Sequence, residues 1–195
     1  FAERIQRAAG QMLLLITDLL DFSKIQSGTF SIEAQAENVH DVLSPLIEGM
    51  RVQTDAKKQI LQAEIPATLP LIAADSRRLG QVVSNLIGNA IKFTPTGGQI
   101  RVSAQANDNG VLVSVSDTGP GIPAENLRRV FERFWQARET KQLGSGLGLS
   151  IAKGIVEAHG GKIWAESQVG VGTSFHFHIP LATASTGVKA VAPRQ

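Results

Sequence analysis

One stretch, residues 76–96, constrains the fold and the function of this chain more than any other. Asn85, Asn89 and Lys92 are spaced so that on an α-helix they lie within about 60° of one another. The residues between them are apolar and can bury the opposite side of the same helix: Val82, Val83, Leu86, Ile87, Ala90 and Ile91. The stretch is therefore either a capped surface helix with incidental asparagines or a helix whose polar face binds a ligand.

The residue types on that face favour ligand binding. Asn is a poor residue for the interior of a helix, and here two of them stand one turn apart. A carboxamide oxygen can ligate a hard cation, and a neighbouring lysine can bind phosphate. We therefore expect a site for a metal ion and phosphate groups along this helix.

Composition excludes several classes of protein. A formal net charge of +2 gives no reason to expect nucleic acid as a partner. Without cysteine, the chain has neither a disulfide scaffold nor a thiolate metal site, and no apolar run approaches the roughly 20 residues of a membrane span. Because residue 1 is Phe rather than Met, we expect a cytoplasmic piece of a longer protein, with any membrane anchor in its other parts.

Residues 1–26 predict one long helix with an apolar stripe, and Gly28 supplies a stop signal. The stripe follows heptad spacing through Phe1, Ile5, Ala8, Met12, Leu15, Leu19 and Phe22 and is widened by Leu13, Ile16 and Leu20. A stripe of this width is typical of a helical bundle. Its partner helices are not in this sequence, so the alternative is a helix that packs on its own domain.

The middle of the chain alternates between strand and helix signals. Residues 29–33 alternate like a strand, Asn38 is a candidate N-cap for a helix that contains Pro45 and runs to about residue 56, and either Asp75 or Ser76 caps the next helix. Further strands are predicted at residues 59–65, 71–74, 100–106 and 111–117, the last two forming a hairpin.

The rest of the chain predicts a short helix over residues 124–130, a helix from the glycines at 144–148 to about residue 159, and strands at 162–167 and 173–180. The sum is an α+β domain with strands in one layer and helices in the other. Residues 182–195 are small, polar and punctuated by Gly and Pro, which predicts a disordered linker.

Two glycine-containing segments are candidates for nucleotide contact. Glycines at 144, 146 and 148 precede a helix, where backbone N–H groups can approach an anion, although such turns also occur without a ligand. Asp117 ends a strand and is followed by Gly119 and Gly121, so its carboxylate could accept a hydrogen bond from an exocyclic amine of a flat ring. The alternative for Asp117 is an ordinary turn in which the side chain binds its own backbone.

The four histidines form no metal-ligand pattern. His176 and His178 alternate on a strand, and His40 falls in the first turn of its helix. His159 falls at a helix C-terminus, where we expect an imidazolium that interacts favourably with the helix dipole.

Five motifs in a fixed order resemble the ATP-binding catalytic domain of bacterial sensor histidine kinases, a branch of the Bergerat-fold ATPase superfamily. They are Asn85 to Phe93, Asp117 to Gly121, Phe131 to Phe134, Gly144 to Gly148, and Gly172-Thr173. The resemblance covers about residues 37–181. The end of the first helix, residues 18–25, resembles the second helix of that family's dimerisation and phosphoacceptor domain.

The resemblance implies roles for individual residues. Asn89 would hold Mg²⁺ through its oxygen, Asn85 would line the phosphate and metal site, and Lys92 would contact phosphate; these three are the expected catalytic residues. Asp117 would accept the adenine amino group with support from Thr173. The other implied nucleotide contacts are Phe93, Gly119, Gly121, Ile122, Phe134, Gly144, Ser145, Gly146, Leu147 and Gly148. Residues 136–143 would form a lid over ATP, with Phe131 and Phe134 at its base.

The implied fold is a Bergerat-type α/β sandwich, a mixed sheet of about five strands with helices on one face, preceded by one long bundle helix. Residues 1–28 would be the second helix of the dimerisation hairpin, residues 29–181 the catalytic domain and residues 182–195 the linker. The implied cofactors are ATP and Mg²⁺. The implied partners are a response-regulator receiver domain and a second copy bound through the bundle.

The implied function is transfer of the γ-phosphoryl group of ATP to a histidine, for relay to a response-regulator aspartate. Two alternatives stay open: another ATPase of the superfamily, and an ATP-binding signalling scaffold without transfer. The hydrolytic ATPases use a Glu where Asn85 stands, which argues against the first alternative.

The four histidines depart from the family pattern. The family's phosphoacceptor is followed by an acidic residue and, two positions later, a basic one. His40 is followed by Asp41, Val42 and Leu43, and the other three lie within the nucleotide domain. We therefore expect that this chain alone cannot autophosphorylate and that the acceptor lies on a bundle helix outside it.

Overall fold

The computed structural model describes residues 2–107, 109–135 and 146–182. The helices are α1 (Ala2–Gln26), α2 (Val39–Ala56), α3 (Ser76–Phe93), α4 (Ala124–Leu127) and α5 (Gly148–Ala158). The strands are β1 (Gln35–Glu37), β2 (Ile60–Glu64), β3 (Ile72–Ala74), β4 (Gln99–Asn107), β5 (Gly110–Asp117), β6 (Lys162–Gln168) and β7 (Gly172–Pro180).

The main sheet is mixed and has five strands in the order β2-β4-β5-β7-β6. β2 runs parallel to β4, and the other neighbours are antiparallel. Alternate residues of β4, β5 and β7 point into the core, where α3 and α5 cover them. The expected α+β sandwich with helices on one face of a five-stranded sheet is confirmed.

The sequence of α3 explains its place at the centre of the core. Its N-cap is Asp75, whose carboxylate accepts a hydrogen bond from the Arg78 N–H, so the choice between Asp75 and Ser76 is settled. Seven apolar residues of α3 are buried. They pack against the sheet and against the body of α5, while the polar stripe of α3 lies toward the N-terminal end of α5.

The N-cap of α2 is Asn38, whose side chain accepts the N–H of His40, as the sequence predicts. Pro45 lies inside α2 without ending it. Among the described residues, the hairpin of β4 and β5 and the two final strands also lie where the sequence predicts them, within one residue or two.

Two predicted elements differ from the structure. Residues 29–33 form no ladder strand: Phe30 and Ile32 point into the core, and the Glu33 N–H donates to the Asp75 carboxylate instead of to a neighbouring strand. Their alternation reflects burial of an extended segment, and the strand follows it at β1, paired with β3. The helix predicted to residue 130 is shorter and ends at Leu127.

The charge predicted for His159 is wrong. The ring is buried, its Nε2 accepts the Asp75 N–H at 3.0 Å, and its Nδ1 hydrogen bonds the Ile155 carbonyl at 2.7 Å. Burial lowers the pKa of His159, although the Ile155 carbonyl and the Asp75 carboxylate act in the opposite direction. A neutral imidazole that connects α5 to the start of α3 replaces the expected imidazolium.

The two ends of α1 differ in their packing. Near its C-terminus, Asp21 forms a buried ion pair with Arg78 of α3, and Ile25 packs against Gly154 of α5. Gly28 then ends the helix with φ of 66°. Further toward the N-terminus, apolar side chains are at least half exposed: Ile5, Met12, Leu13, Leu15, Ile16, Leu19 and Leu20. The C-terminal end of α1 thus packs on its own domain, whereas these apolar side chains toward its N-terminus do not.

In the part of the chain that the structure describes, no helix combines the length and the apolar character that crossing a membrane requires.

Candidate functional site

The polar stripe of α3 faces the N-terminal end of α5. Asn85 donates a hydrogen bond from its Nδ2 to the carbonyl oxygen of Gly148 at 3.0 Å. An added Cβ on Gly148 would lie 3.5 Å from the Asn85 carboxamide, so the two helices approach closely here. The Asn85 Oδ1 remains able to accept a hydrogen bond or to ligate a cation.

Asn89 and Lys92 continue the same stripe and are half-buried. Within the described ranges, the Asn89 carboxamide has no hydrogen bond and the Lys92 ammonium has no carboxylate partner. The Nζ of Lys92 lies 4.5 Å from the centroid of the Phe93 ring, and burial lowers the pKa of Lys92. The polar atoms of both side chains remain accessible to water, so they are free to exchange water for a ligand. Oxygen ligands of a metal–phosphate complex would satisfy both of them.

Asp117 ends β5 beside the C-terminal end of α3. Burial raises the pKa of its carboxyl group, although the backbone N–H groups of Gly119 and Thr173 act in the opposite direction. The bond from the Gly119 N–H is 2.8 Å long and is the local turn of the alternative interpretation. A carboxylate has about four acceptor positions, so this bond leaves capacity for a further donor.

The residue at position 119 has to be small. An added Cβ on Gly119 would lie 2.7 Å from the Asp117 Oδ1 and 3.1 Å from the Phe93 carbonyl oxygen. Gly121 has a φ of +74°, and a Cβ there would overlap with the Gln168 carbonyl. These two glycines let the segment after β5 pass directly against α3 on one side and β6 on the other.

A hydroxyl that the sequence analysis did not single out lies beneath this segment. The Oγ of Ser167 accepts the N–H of Ile122 at 2.7 Å, donates to the Gly172 carbonyl at 2.8 Å and lies 2.9 Å from the Thr173 Oγ1. Thr173 is in turn the ladder partner of Asp117. No sequence motif marked Ser167, because its contact with Ile122, 45 residues away, is formed only by the tertiary fold.

The glycine-rich segment before α5 is described only in part. Gly146 has a φ of 73°, and its carbonyl accepts the N–H of Phe134 at 3.1 Å. Leu147 is buried and precedes Gly148, the first residue of α5. Gly144, Ser145 and the predicted lid at residues 136–143 lie outside the described residues.

The two phenylalanines expected at the base of the lid have different surroundings. The Phe131 ring packs edge-on against Phe175 of β7, with centroids 6.1 Å apart. The Phe134 ring is exposed and packs edge-on against Phe22 of α1, with centroids 5.9 Å apart. A contact between Phe134 and a nucleotide therefore stays a prediction.

The described site residues form two clusters at the C-terminal half of α3. The first joins Asn85, Asn89 and Lys92 to the start of α5, and it offers a carboxamide, an ammonium and a helix N-terminus. The second joins Asp117, Gly119 and Thr173 beside the Phe93 carbonyl, and it offers a half-buried carboxylate. The first cluster suits phosphate and a hard cation, and the second suits an amine on a flat ring.

Comparison with known proteins gives the family of this chain. Residues 74–183 match the family model described as histidine kinase-, DNA gyrase B-, and HSP90-like ATPase. This match spans more than half of the chain. The chain belongs to this ATPase family and, within it, corresponds to the ATP-binding catalytic portion of two-component sensor histidine kinases.

Individual relatives are sensor kinases. The adaptive-response sensory kinase SasA of Synechococcus sp. (strain JA-3-3Ab) is 38% identical over 181 residues, which cover 92% of this chain and 48% of SasA. The chain thus spans about half the length of that relative.

Two solved structures resemble the fold closely. Full-length ShkA in complex with AMPPNP has a TM-score of 0.80 and 34% identity, over 93% of this chain and 38% of ShkA. Histidine kinase ThkA in complex with the response regulator protein TrrA has a TM-score of 0.73 and 28% identity, over 91% of this chain and 49% of the other.

Proposed function

We propose that this chain binds Mg–ATP and transfers its γ-phosphoryl group to a histidine on a helical bundle. The observation that carries the proposal is the polar row on α3: the Asn89 carboxamide and the Lys92 ammonium, which pair with no polar group in residues 2–107, 109–135 and 146–182, beside Asn85 and the start of α5. The complex of ShkA with AMPPNP supports the nucleotide, because that protein shares this fold.

The donor set fits a metal–nucleotide complex. Asn89 would hold Mg²⁺ through its side-chain oxygen, Asn85 would line the metal and phosphate site, and Lys92 would bind phosphate oxygens. When bound, the metal supplies charge neutralisation between phosphate groups. Asp117 would accept the adenine amino group beside Thr173. The remaining contacts are proposed for Phe93, Gly119, Gly121, Ile122, Phe134, Gly144, Ser145, Gly146, Leu147 and Gly148.

The residues of this chain act by position and charge in the proposed reaction. An imidazole nitrogen of the acceptor histidine attacks the γ-phosphorus while the bond to the ADP oxygen breaks, so the chain itself forms no covalent intermediate. Its four histidines offer no acceptor with the family pattern. The acceptor is therefore proposed on a helix outside residues 1–195.

We further propose that residues 1–28 belong to that bundle, residues 29–181 to the catalytic domain and residues 182–195 to a linker. The exposed apolar stripe on α1 would pack against a second copy of the chain. Sedimentation should show self-association, and Leu13→Lys/Leu20→Lys should shift the protein toward monomer. A monomeric parent protein with a folded, protected α1 would contradict this part of the proposal.

A response-regulator receiver domain is the proposed final acceptor, since ThkA, of the same fold, forms a complex with the response regulator TrrA. The proposed location is the cytoplasm, where ATP is available.

One assay tests the proposed function directly. The chain is mixed with γ-labelled ATP, Mg²⁺ and a separately prepared bundle helix that carries an acceptor histidine. Acid-labile label on that helix is the expected result. Release of free phosphate without labelled protein would indicate a hydrolytic ATPase instead, and nucleotide binding with neither outcome would indicate a scaffold.

A further inference from the structure

The Ser167 hydroxyl uses its full hydrogen-bonding capacity. A serine hydroxyl has one donor and two acceptor positions. Here the proton goes to the Gly172 carbonyl at 2.8 Å and one lone pair accepts the Ile122 N–H at 2.7 Å. The Thr173 Oγ1 at 2.9 Å then donates to the second lone pair. Ser167 lies near the end of β6, half-buried, on the side of the sheet that faces the core.

These three partners belong to two backbone segments on either side of Asp117. One is the segment that follows Asp117 in sequence and contains Ile122, and the other is the start of β7, with Gly172 and Thr173. The first segment is also held by a bond from the Gly170 N–H to the Pro120 carbonyl. On the other side, Gly172 packs against the Asp117 carbonyl so closely that an added Cβ would overlap with it. Thr173 is the ladder partner of Asp117.

Among the described residues, Ser167 is the one whose side-chain hydrogen bonds join these two segments. The other ties between them are backbone hydrogen bonds and glycine contacts, which a change of side chain at position 167 leaves intact. Loss of the hydroxyl would leave the Ile122 N–H, the Gly172 carbonyl and the Thr173 hydroxyl each without this partner. The position of the Asp117 carboxylate relative to a bound ring would then be less well defined.

We propose that Ser167 is a positioning residue that sets the base specificity of the nucleotide site. The inference rests on the proposed function, because it assumes that Asp117 receives the amino group of adenine. Ser167 does not itself contact the base in this account. It holds Asp117, Thr173 and Ile122 in one arrangement, and a small displacement of a positioned group is costly for recognition.

The consequence is measurable as discrimination between two purines. Adenine has an amino group at C6, which donates to a carboxylate, whereas hypoxanthine has a carbonyl oxygen there, which a carboxylate repels. A well-positioned Asp117 therefore favours ATP over ITP. A general loss of stability would lower the melting temperature but would leave the ratio of the two affinities unchanged in the folded protein.

The experiment measures dissociation constants for Mg–ATP and Mg–ITP by calorimetry with the full chain. Ser167→Ala should reduce the preference for ATP about tenfold, the equivalent of one lost buried hydrogen bond. Ser167→Thr, which keeps the hydroxyl, should restore the preference. Ser167→Cys, a weaker hydrogen-bonding group of similar shape, should give a smaller reduction and replaces the alanine variant if that variant does not fold.

Ser174→Ala is the matched control. Ser174 is the next residue after Thr173, and its Oγ donates to the Ser116 Oγ at 2.8 Å on the opposite face of the sheet. This control should keep the wild-type preference. A Ser167→Ala protein with an unchanged ratio, or a control that loses as much, would overturn the inference. A wild type that binds neither nucleotide would overturn the proposed function itself.

Discussion

The two halves of α3 use their polar side chains in opposite ways. In the N-terminal half, Arg78 pairs with Asp21 of α1 and hydrogen bonds Gln81, which also contacts Asp21. In the C-terminal half, Asn89 and Lys92 have no such partner within the described ranges. Both halves bury the same kind of apolar residues against the sheet.

The difference separates stability from function along one helix. The partnered groups at one end connect α3 to α1 and so contribute to the fold. The groups at the other end have no such partner among the described residues and stay accessible to water, so a ligand can pair with them without breaking a bond of the fold. Substitutions at the two ends should therefore have opposite signatures: lost stability with intact binding at one end, and lost binding with intact stability at the other.

The largest expected effect is on stability, from loss of the ion pair at the N-terminal half of α3. Asp21→Ala leaves the Arg78 guanidinium buried without its carboxylate, because the two side chains are only 5% and 11% exposed. Breaking a buried pair in this way costs about 3–5 kcal/mol of unfolding free energy. Denaturant unfolding measures the loss, and the affinity for ATP should stay unchanged once the protein is folded.

Glu48→Ala is the control for Asp21→Ala. It breaks the exposed ion pair between Glu48 and Arg51, whose side chains are 72% and 43% exposed. Its expected cost is below about 1 kcal/mol. Equal losses in the two variants would show that the contact of α1 with α3 contributes little, and the contrast between the halves of α3 would fail.

The next largest effect is expected on nucleotide affinity, from a substitution in the C-terminal half of α3. Asn89→Ala should weaken Mg–ATP binding by about 10- to 100-fold, or roughly 1.4–2.7 kcal/mol, because a proposed metal ligand is lost. The melting temperature should not fall, since no bond to a described residue is removed. Ser84→Ala, on the same helix but about 100° around the axis from Asn85, should bind like the wild type. A drop in melting temperature without a change in affinity would contradict the assignment.

A smaller effect is expected on the free energy of unfolding at acid pH. The neutral His159 ring accepts the Asp75 N–H at the start of α3, and burial holds its pKa below the ordinary value. As the pH falls, His159 is therefore protonated in the unfolded chain before it is protonated in the folded chain. Protonation then favours the unfolded state, so stability is lost as the pH falls below about 6.5. For one group the slope cannot exceed about 1.4 kcal/mol per pH unit. Stability above this pH should be constant as far as His159 is concerned.

His159→Gln isolates this contribution, because burial also lowers the pKa of His176 and would add to the acid effect. Unfolding curves between pH 7 and pH 5 should show a shallower decline for the variant than for the wild type. Parallel curves would mean that His159 is not the source of the acid sensitivity at this end of α3.

Local patterns in the sequence predict most of the fold. The apolar period of α3, the caps at Asn38 and Asp75 and the turn between β4 and β5 are each encoded within a few residues. The motifs of the ATPase family are also short and local, so their order along the sequence is enough to predict that family. The mixed five-stranded sheet then followed from that resemblance rather than from any strand by itself.

Features that depend on distant partners could not be predicted in this way. Asp21 and Arg78 lie 57 residues apart, and Ser167 meets Ile122 only across the folded sheet. The charge state of His159 depends on burial and on the Asp75 N–H, neither of which its neighbours in sequence show. Residues 29–33 alternate as a strand does, but the Asp75 carboxylate takes the N–H of Glu33 that a ladder would need.

The central claim is that Asp117 and the C-terminal half of α3 form one nucleotide site. The most direct test is calorimetric titration of Mg–ATP into the wild type and into Asp117→Asn, which keeps the shape of the side chain and an acceptor for the Gly119 N–H. We expect the wild type to bind ATP and the variant to bind it at least about tenfold more weakly, with nearly equal melting temperatures. A variant that binds ATP as tightly as the wild type would contradict the central claim.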